Sequence, residues 1–503
     1  MFEHIKRLYN QFQKIYHIKK QLELIHLELP RHQSIENLIP EFEKLKIIVF
    51  DCGSLYVKFL QWYISKLKSN CVDNNILEKQ NTAKFINYFE DIFENCPFHS
   101  LEHTKEIFQN AMPGLVLEDY IDITTLKEIA SGSIGQVYYA RRKIDNLEIA
   151  IKVKHPDITT DLENQLELIK LIKFLQSFTY IRKRFNLIFN IDDFLNDIVQ
   201  QCDFRVEAQN NIQFRKNFKD SQDFIIFPEI LFQSEDVLIS HYIPGESIDK
   251  LTDTQRFYAT INFVCFFYQM FLVDNLIHGD LHCKNWKVRI PETANMKPRL
   301  IIYDCGICFK NINLELSNNF WFSIAKYDVQ KLNQTMKQFI TINNIDIDDE
   351  DLSNEINNLF NNIMKDSVST SLFLKSFINF FTARNIIVHK FLLNFTILIC
   401  VIEEFLKKSD VINREKGTGN KVSMFDLMTD NQLDIISFCE VNKCYPKVKE
   451  LFQKELDNKY LEYKKNINEH NILEKQDKNI EPFDNPQLFS SLSLSGLKFR
   501  PPE

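Results

Sequence analysis

Apolar residues recur at three- and four-residue spacing through the first 115 residues of the chain. Phe42, Leu45 and Ile48 show this pattern, and it continues at Leu55. Side chains at this spacing share one face of an α-helix. Residues 1–115 are therefore predicted to form a helical N-terminal extension.

The pattern changes to alternation between residues 126 and 155. Ile149, Ile151 and Val153 alternate with small or charged residues, and the pair Asp145-Asn146 separates this run from the one before it. Alternation on both sides of a turn signal predicts an antiparallel hairpin.

Helical spacing returns after residue 159. It is interrupted by two short strand candidates, at 224–227 and 237–241, and by a loop-rich stretch at 277–310. A small lobe of antiparallel strands followed by a lobe of helices predicts an α+β fold of the two-lobe, protein-kinase-like type. The predicted units are a helical extension at 1–115, a strand-rich N-lobe with a helical insert at 116–245, a helical C-lobe at 246–455, and a flexible tail at 456–503.

Composition and charge limit the classes of partner and the cellular compartments that are expected for this chain. The net charge is −8 over 503 residues, without the basic face of a general nucleic-acid-binding protein, so no nucleic-acid partner is expected. Eleven scattered Cys suggest no disulfide framework, which favours a reducing compartment, mitochondrial or cytoplasmic. The apolar run at 391–402 is too short to span a membrane, so no transmembrane segment is predicted. The first 20 residues read as a basic amphipathic helix, which leaves contact with a membrane surface open.

Candidates for the parts of a phosphoryl-transfer site occur in order along the chain. Such a site needs backbone close to the phosphates, a cation on them, carboxylates for Mg²⁺ and an acceptor for the nucleophile's proton. Ala130, Gly132 and Gly135 form A-x-G-x-x-G, where small residues let backbone N–H groups approach phosphate oxygens. Lys152 ends the strand-like I-A-I-K and needs an anion if it points inward. Glu207, in a later helix, is the expected partner.

The segment HGDLHCKN at 278–285 is the strongest local signal. Asp280 and Asn285 have the D-x-x-x-x-N spacing of a kinase catalytic loop, in which the Asp accepts the nucleophile's proton and the Asn binds Mg²⁺. Asp304 ends an apolar run and is followed by a Cys and a Gly, similar to D-F-G, where the Asp holds the metal. In this order, these residues and Lys152 predict a site for ATP and Mg²⁺.

Two weaker patterns surround these motifs. Tyr242 precedes Pro244-Gly245 at the expected link between the lobes, which predicts that backbone near Tyr242 binds adenine. Cys305 and Cys308, with three His and Cys residues at 278–283, suggest a zinc site as an alternative. A single C-x-x-C without a second spaced pair is weak evidence for zinc.

Four segments between Gly53 and Phe309 resemble the UbiB, or aarF-domain-containing, atypical kinases. These segments are residues 53–62, which resemble the family's K-x-G-Q helix; Ala130, Ser131, Gly132, Ser133, Gly135 and Gln136, which resemble its Ala-rich loop; residues 201–208, which resemble its E-x-D motif and ion-pair Glu; and the catalytic and metal loops at 278–285 and 304–306.

The resemblance implies roles for further residues. It implies that the loop at 130–136 binds the nucleotide together with Lys152, and that Lys58, Gln61 and Asp203 belong to a lid that excludes protein substrates. The chain also departs from the family pattern: Leu60 replaces a Gly, Gln201 replaces a Glu, Gly132 replaces an Ala and Cys305 replaces a Phe. The lid is therefore expected to be kept but altered.

For function, the resemblance implies an atypical kinase or ATPase that uses ATP and Mg²⁺ in ubiquinone biosynthesis. Association with membranes and with isoprenoid-quinone intermediates is implied in the same way. Two alternatives stay open. One is a small-molecule kinase of the aminoglycoside or choline type, which also carries H-G-D-L-H-x-x-N. The other is a scaffold that binds nucleotide without transferring phosphate.

Overall fold

The computed structural model of the chain describes residues 2–28, 35–64, 76–92, 95–158, 198–341 and 432–458, with short gaps in several of these ranges. A few isolated positions between 350 and 402, and residue 461, are described as well. The predicted helical insert lies mostly at 159–197, which is outside the described residues, as is most of the predicted tail.

The N-terminal extension is helical, as predicted. Its helices are α1 (Phe2–Glu28), α2 (Ile39–Cys52) and α3 (Ile76–Phe89). Phe42 of α2 meets Phe85 of α3 edge-to-face, with 5.1 Å between ring centroids, in a core of its own. Gly53 ends α2 with φ at 103°, a conformation that favours glycine. A further helical stretch between residues 54 and 64 follows this turn.

The N-lobe is a five-stranded antiparallel sheet preceded by α4 (Leu101–Ala111) and α5 (Leu117–Tyr120). The strands are β1 (Ile121–Ser131), β2 (Gly135–Arg142), β3 (Glu148–Lys154), β5 (Ile230–Gln233) and β6 (Val237–His241), in the order β1-β2-β3-β6-β5. The predicted turn at Asp145-Asn146 joins β2 to β3, and Asn146 has a positive φ of 58°.

Helices cover both faces of this sheet, because successive side chains along each strand point to opposite faces. Ile149, Ile151 and Val153 of β3 are buried in one cluster with Phe108 of α4. The other face receives α6 (Phe204–Asn217), whose Phe204 and Ala208 pack with Leu238 of β6. This packing fixes α6 against β3.

The C-lobe is built around α7 (Asp253–Tyr268), which a Thr252–Gln255 capping box begins and a π-helical turn, Gln269–Val273, extends. The other described helices are α8 (Leu314–Ala325), α9 (Val329–Thr341), α10 (Gln432–Asn442) and residues 446–458. Phe267 and Phe271 stack on one face of α7, and Trp321 of α8 meets Phe267 edge-to-face. The described positions of the apolar run 391–402, among them Phe395 and Ile399, are buried in this core.

The prediction of a loop-rich stretch at 277–310 is wrong in part. This stretch contains β7 (Ile277–His278), β8 (Trp286–Arg289), β9 (Arg299–Ile302) and β10 (Cys308–Phe309). β7 pairs with β10, and β9 pairs with β8 and with β4 (Ile225–Ile226). Strands of two to four residues are too short to show alternation. The strand β5, which the sequence pattern also missed, has four residues.

One described helix, Asp253–Val273, is long and apolar enough to cross a membrane, but 83% of its apolar window is buried inside the protein. It is the central helix of the C-lobe core. A small antiparallel-sheet lobe and a helical lobe make this an α+β, protein-kinase-like fold, as predicted.

Candidate functional site

An ion cluster lies where β3, α6 and the segment after β9 meet. The Nζ atom of Lys152 is 2.7 Å from Oε2 of Glu207 and 3.2 Å from Oδ2 of Asp304. The ring of Phe204, one turn before Glu207, lies 5.1 Å from the same ammonium group. Inward-pointing Lys152 thus has two carboxylate partners, one of them the predicted Glu207.

The charges in this cluster are unequal. Burial raises the pKa of Glu207 to about 7, and the nearby Asp304 adds to this effect against the attraction of Lys152. For Asp304, desolvation opposes ionisation, but the Lys152 and Lys58 ammonium groups and the Gly306 amide outweigh this effect. The pKa of Asp304 therefore lies below its ordinary value. Burial opposes the charge of Lys152, yet the two carboxylates raise its pKa. Asp304 is therefore the group that stays ionised.

Asp304 adopts an unusual backbone conformation. Its φ is 39°, its side chain is 45% exposed, and its Oδ1 accepts a hydrogen bond of 3.1 Å from the Gly306 N–H. A Cβ on Gly306 would lie 3.0 Å from that oxygen and 3.7 Å from both Gln201 and Glu207. The absence of a side chain at Gly306 thus leaves room for the cluster. Gln201, where the resembled family has Glu, lies beside it.

The catalytic-loop motif is held by its buried first residue. Nδ1 of His278 accepts the Asp280 N–H at 3.2 Å, and Nε2 faces the Tyr303 carbonyl oxygen at 3.3 Å. The Nδ2 atom of Asn285 donates to the Asp280 carbonyl oxygen at 2.8 Å. Pairing of β7 with β10 joins this loop to the segment after Asp304. Asp280, Asn285 and Asp304 are therefore carried by one small framework.

The predicted phosphate loop is the turn between β1 and β2. Ala130 and Ser131 close β1 opposite Val137 and Gln136, and the Gly132 N–H donates to the Gly135 carbonyl oxygen at 3.0 Å. Gly135 must be small for packing reasons, since a Cβ there would lie 2.8 Å from the Val153 carbonyl oxygen and 2.9 Å from the Phe204 ring. In register, β2 places Val137 beside Lys152.

Two of the three predicted lid residues contact the catalytic loop or the phosphate loop. Lys58 Nζ is 3.9 Å from Oδ2 of Asp280, and Gln61 Oε1 accepts a hydrogen bond of 3.5 Å from the buried Ser133 hydroxyl of the phosphate loop. Asp203 has a different environment. It is the N-cap of α6, and its carboxylate binds the backbone N–H and the guanidinium group of Arg205.

The predicted link between the lobes, residues 242–245, is called the hinge below, and it is hydrogen-bonded to both lobes. The Tyr242 N–H donates to the Glu148 carbonyl oxygen at 3.0 Å, so this amide is occupied by the sheet, and its ring meets Tyr139 edge-to-face. The hydroxyl of Tyr303, directly before Asp304, donates to the Ile243 carbonyl oxygen at 2.7 Å. This second contact connects the metal loop to the hinge. It is absent from the sequence prediction, because nothing local marks Tyr303.

The zinc alternative is not assembled among the described residues. Both ring nitrogens of His278 have backbone partners, and Cys308 donates to the Cys305 carbonyl oxygen. Burial raises the pKa of both thiols, which disfavours the thiolates that zinc requires. No group of three or more His, Cys, Asp or Glu in the described part of the chain is placed to hold a metal. His282 and Cys283 lie outside the described residues.

The residues at the cluster fit Mg²⁺ together with phosphate oxygens. Asp304 is ionised and open to solvent, and Asn285 uses its amide N–H group within the loop, which leaves its Oδ1 as an acceptor. Mg²⁺ in proteins is commonly held by one or two such oxygen ligands together with substrate phosphates and water. The structure brings Lys152, Glu207 and Asp304 together and pairs Asp280 with Lys58, while their roles in nucleotide chemistry stay predictions.

Comparison with known proteins assigns the central domain. Residues 91–336 match the family described as ABC1 atypical kinase-like domain. A probable serine/threonine-protein kinase abkC from Dictyostelium discoideum is 28% identical over 252 residues, which cover 49% of this chain and 34% of that protein. A probable protein kinase UbiB from Vibrio parahaemolyticus is 28% identical over 324 residues, 59% of this chain and 57% of that protein. The matched part of the chain thus spans no more than 57% of these relatives.

Solved structures give looser matches. The Rv3197–erythromycin complex from Mycobacterium tuberculosis is 20% identical, with a TM-score of 0.38 over 48% of this chain and 61% of that one. The Rio2 kinase–ADP/Mg²⁺–phosphoaspartate complex from Chaetomium thermophilum is 12% identical, with a TM-score of 0.26 over 55% and 79%. At these scores neither superposition bears on the function of this chain. The motifs, the two-lobed fold and the match over residues 91–336 agree, and the central domain of this chain is an ABC1 atypical kinase-like domain similar to that of the UbiB proteins.

Proposed function

We propose that this chain binds ATP with Mg²⁺ and transfers or hydrolyses its terminal phosphoryl group. The observation that carries the proposal is the position of Lys152 between Glu207 at 2.7 Å and Asp304 at 3.2 Å. An ammonium group shared by a buried carboxylate and an exposed, ionised one is the arrangement by which kinases hold phosphates and metal. The match to an atypical kinase-like domain supports it.

In this proposal each residue has one task. Lys152, oriented by Glu207, neutralises charge on the nucleotide phosphates. Asp304 and Asn285 hold Mg²⁺, which when bound would neutralise the negative charge on the phosphate oxygens. Asp280 accepts the proton of the attacking hydroxyl or water, and its backbone is fixed by His278 and Asn285. Backbone N–H groups between β1 and β2 would contact the phosphates.

The test is ligand-dependent thermal stabilisation of the full chain. Mg²⁺ with ATP at about 100 times its Kd stabilises a one-site protein by about 2.7 kcal/mol, which raises the Tm measurably. We expect this rise to disappear in Asp304→Asn and when EDTA replaces Mg²⁺. The matched control is Asp145→Asn in the exposed β2–β3 turn, which keeps the full rise. Equal stabilisation of Asp304→Asn and wild type would refute the metal assignment.

We further propose that this activity supports isoprenoid-quinone metabolism at a membrane surface, as the family resemblance implies. Two tyrosines exposed on α1, Tyr9 at 60% and Tyr16 at 50%, supply an aromatic surface beside Lys19 and Lys20 for such contact. Quinone levels in cells lacking the chain should recover with wild type but not with Asp280→Asn. Recovery with both would separate the quinone role from phosphoryl transfer.

A second candidate is nucleotide binding without transfer. The Lys58 ammonium group, 3.9 Å from the Asp280 carboxylate, occupies space next to the predicted proton acceptor and pairs with it. Under this candidate, ATP stabilises the chain but no phosphate or phosphorylated product forms. Release of inorganic phosphate that is lost in Asp280→Asn would exclude it.

A further inference from the structure

Two histidines and three other polar side chains form a continuous hydrogen-bonded chain behind the phosphate loop. His99 precedes α4, and His155 follows β3; their Nδ1 atoms are 2.7 Å apart. At one end, Nε2 of His155 lies 3.0 Å from the Gly132 carbonyl oxygen. At the other end, Nε2 of His99 lies 2.8 Å from the Thr104 hydroxyl, which contacts the Tyr138 hydroxyl at 2.7 Å.

The direction of every bond in this chain follows from its far end. Oε1 of Gln136 accepts the His99 backbone N–H at 2.9 Å, so its Nε2 faces Tyr138 and donates to that hydroxyl. Tyr138 therefore donates to Thr104, and Thr104 donates to Nε2 of His99. The proton of a neutral His99 must then lie on Nδ1.

The near end requires the same arrangement independently. The Gly132 carbonyl oxygen can only accept, so Nε2 of His155 carries its proton, and a neutral His155 has an unprotonated Nδ1. That nitrogen accepts the Nδ1 proton of His99. Both ends therefore assign the same tautomers. An additional proton on Nδ1 of His155 would bring two N–H groups against each other, and one on Nε2 of His99 would meet the proton that Thr104 donates.

The hydrogen-bonded chain contacts the phosphate loop at two points, both through His155. Besides the ring contact with Gly132, the backbone N–H of His155 donates to the Ile134 carbonyl oxygen at 2.9 Å. Every described peptide bond is trans, and in a trans peptide the N–H points opposite to the preceding C=O. Holding the Gly132 carbonyl toward His155 therefore turns the Ser133 N–H away from His155.

The surroundings give no charge that would favour protonation. His103 of α4 stands edge-to-face to His99 with centroids 4.8 Å apart, and its Nε2 contacts the Lys154 carbonyl oxygen. Lys154 Nζ is paired with Asp236, and Glu128 of β1 acts on Tyr138. Burial, the neighbouring His155 and then His103 lower the pKa of His99 to about 3, and burial also lowers the pKa of His155. In the described part of the chain no carboxylate forms an ion pair with these three rings.

We propose that His155 is a positioning residue for the phosphate loop, that His99 holds it in the required tautomer, and that acidification releases the loop and weakens nucleotide binding. This inference rests on the proposed function only for its last part. The tautomers and the hydrogen bond to Gly132 follow from the contacts of the two histidines and do not depend on the proposed function.

The first experiment reads the tautomers without any ligand. Two-bond proton–nitrogen correlation spectra of the full chain labelled with ¹⁵N-histidine distinguish Nδ1–H from Nε2–H, and His99→Gln and His155→Gln assign the signals. We expect Nδ1–H for His99 and Nε2–H for His155, with both rings neutral near pH 6.5, the pKa of an unperturbed histidine. The opposite tautomer, or a cationic ring at that pH, would overturn the inference.

The second experiment compares two substitutions at one position. His155→Phe keeps an aromatic ring but removes the donor to Gly132, and we expect about a fivefold weaker affinity for Mg²⁺-ATP, the value of one hydrogen bond. His155→Gln keeps a donor without a titratable ring and should bind within about twofold of wild type at neutral pH, with less loss of affinity as the pH falls below the ordinary histidine range. His103→Gln, which removes the histidine that contacts Lys154, is the control and should match wild type at neutral pH. Equal affinities and pH profiles for all three variants would overturn the positioning role.

The two levels of the proposal can fail separately. If wild type binds no Mg²⁺-ATP, the proposed function fails, and the spectra alone test whether the hydrogen-bonded chain has the expected tautomers. If wild type binds Mg²⁺-ATP and the spectra show the expected tautomers, but His155→Phe binds Mg²⁺-ATP normally, the hydrogen-bonded chain exists without positioning the loop.

Discussion

Lys152 and Glu207 form an ion pair of 2.7 Å between a strand and a helix that are 55 residues apart in sequence. The side chains are 18% and 10% exposed, so solvent screens the pair only weakly. Phe204 and Ala208 of the same helix pack against the sheet, which sets the distance. The pair therefore depends on the docking of α6 and in turn supports it.

Removing both partners of this pair should cost less than the two single removals added together. Glu207→Gln leaves a buried ammonium group with only Asp304, and we expect a loss of about 3 kcal/mol in the free energy of unfolding. Because Lys152→Met with Glu207→Gln removes both partners of the pair, and Asp304, which also loses Lys152, is 45% exposed to solvent, its loss should be smaller than the sum by about 2 kcal/mol. Chemical denaturation of the four proteins measures this coupling. The exposed pair Arg142–Asp145 is the control, with coupling below about 1 kcal/mol. Additive losses at Lys152 and Glu207 would contradict the prediction.

Two glycines should respond to alanine for different reasons. Gly135→Ala puts a methyl group 2.8 Å from the Val153 carbonyl oxygen and 2.9 Å from Phe204, so the loop or α6 must shift. We expect a loss of about 2 kcal/mol and weaker Mg²⁺-ATP binding. Gly114→Ala meets no atom within 4 Å but sits at φ +88°, so we expect about 1 kcal/mol from backbone strain and unchanged binding. Thermal denaturation and nucleotide titration together test both. Normal binding in Gly135→Ala would show that the loop tolerates displacement.

Tyr303→Phe should loosen the link between the metal loop and the hinge. The substitution removes the 2.7 Å hydrogen bond to the Ile243 carbonyl oxygen and leaves the ring in place. We expect a loss of about 1 kcal/mol in stability, with faster amide exchange at 242–246 and 303–306. Tyr139→Phe is the matched control, since its hydroxyl binds Glu148 within the sheet. Exchange that is faster in the control alone would exclude the link.

Stability should fall as the pH drops below the ordinary histidine range. The folded chain holds His99 at a pKa of about 3, whereas in the unfolded chain it takes up a proton near the ordinary histidine pKa of 6.5. The unfolded state therefore binds more protons between these values, and each histidine lowers the unfolding free energy by at most about 1.4 kcal/mol per pH unit. Thermal denaturation from neutral to mildly acidic pH should show a falling Tm for wild type and a smaller fall for His99→Gln. An identical fall in both would contradict the assignment.

Local patterns identify the parts of the molecule that have local causes. The helices of the N-terminal extension and the β2–β3 hairpin are predicted because each repeats a hydrophobic period over ten residues or more, or carries a turn signal. The strands β5 and β7–β10 are missed because four residues or fewer carry no measurable period. They form where partner strands and buried neighbours stabilise them, for example Trp286 and Ile302 across β8 and β9.

The site follows the same division. Lys152, Asp280, Asn285 and Asp304 are recognisable from short motifs, because phosphoryl transfer requires those residue types at those spacings. The position of Asp203 differs from the expectation of a lid residue, since its carboxylate begins α6 and binds Arg205. No motif marks the contact of Tyr303 with the hinge or of His155 with Gly132, and both depend on how distant segments pack.

The order and chemistry of the motifs in the sequence determine which residues can serve a nucleotide and which family the central domain belongs to. The tertiary structure alone decides that the pKa of Asp304 is lowered while that of Glu207 is raised, and that His99 faces both His103 and His155 behind the loop. Proximity in space sets charge states and hydrogen-bond directions, because electrostatic energy depends on the distance between groups and on their burial. Neither quantity is written in the spacing of residues along the chain.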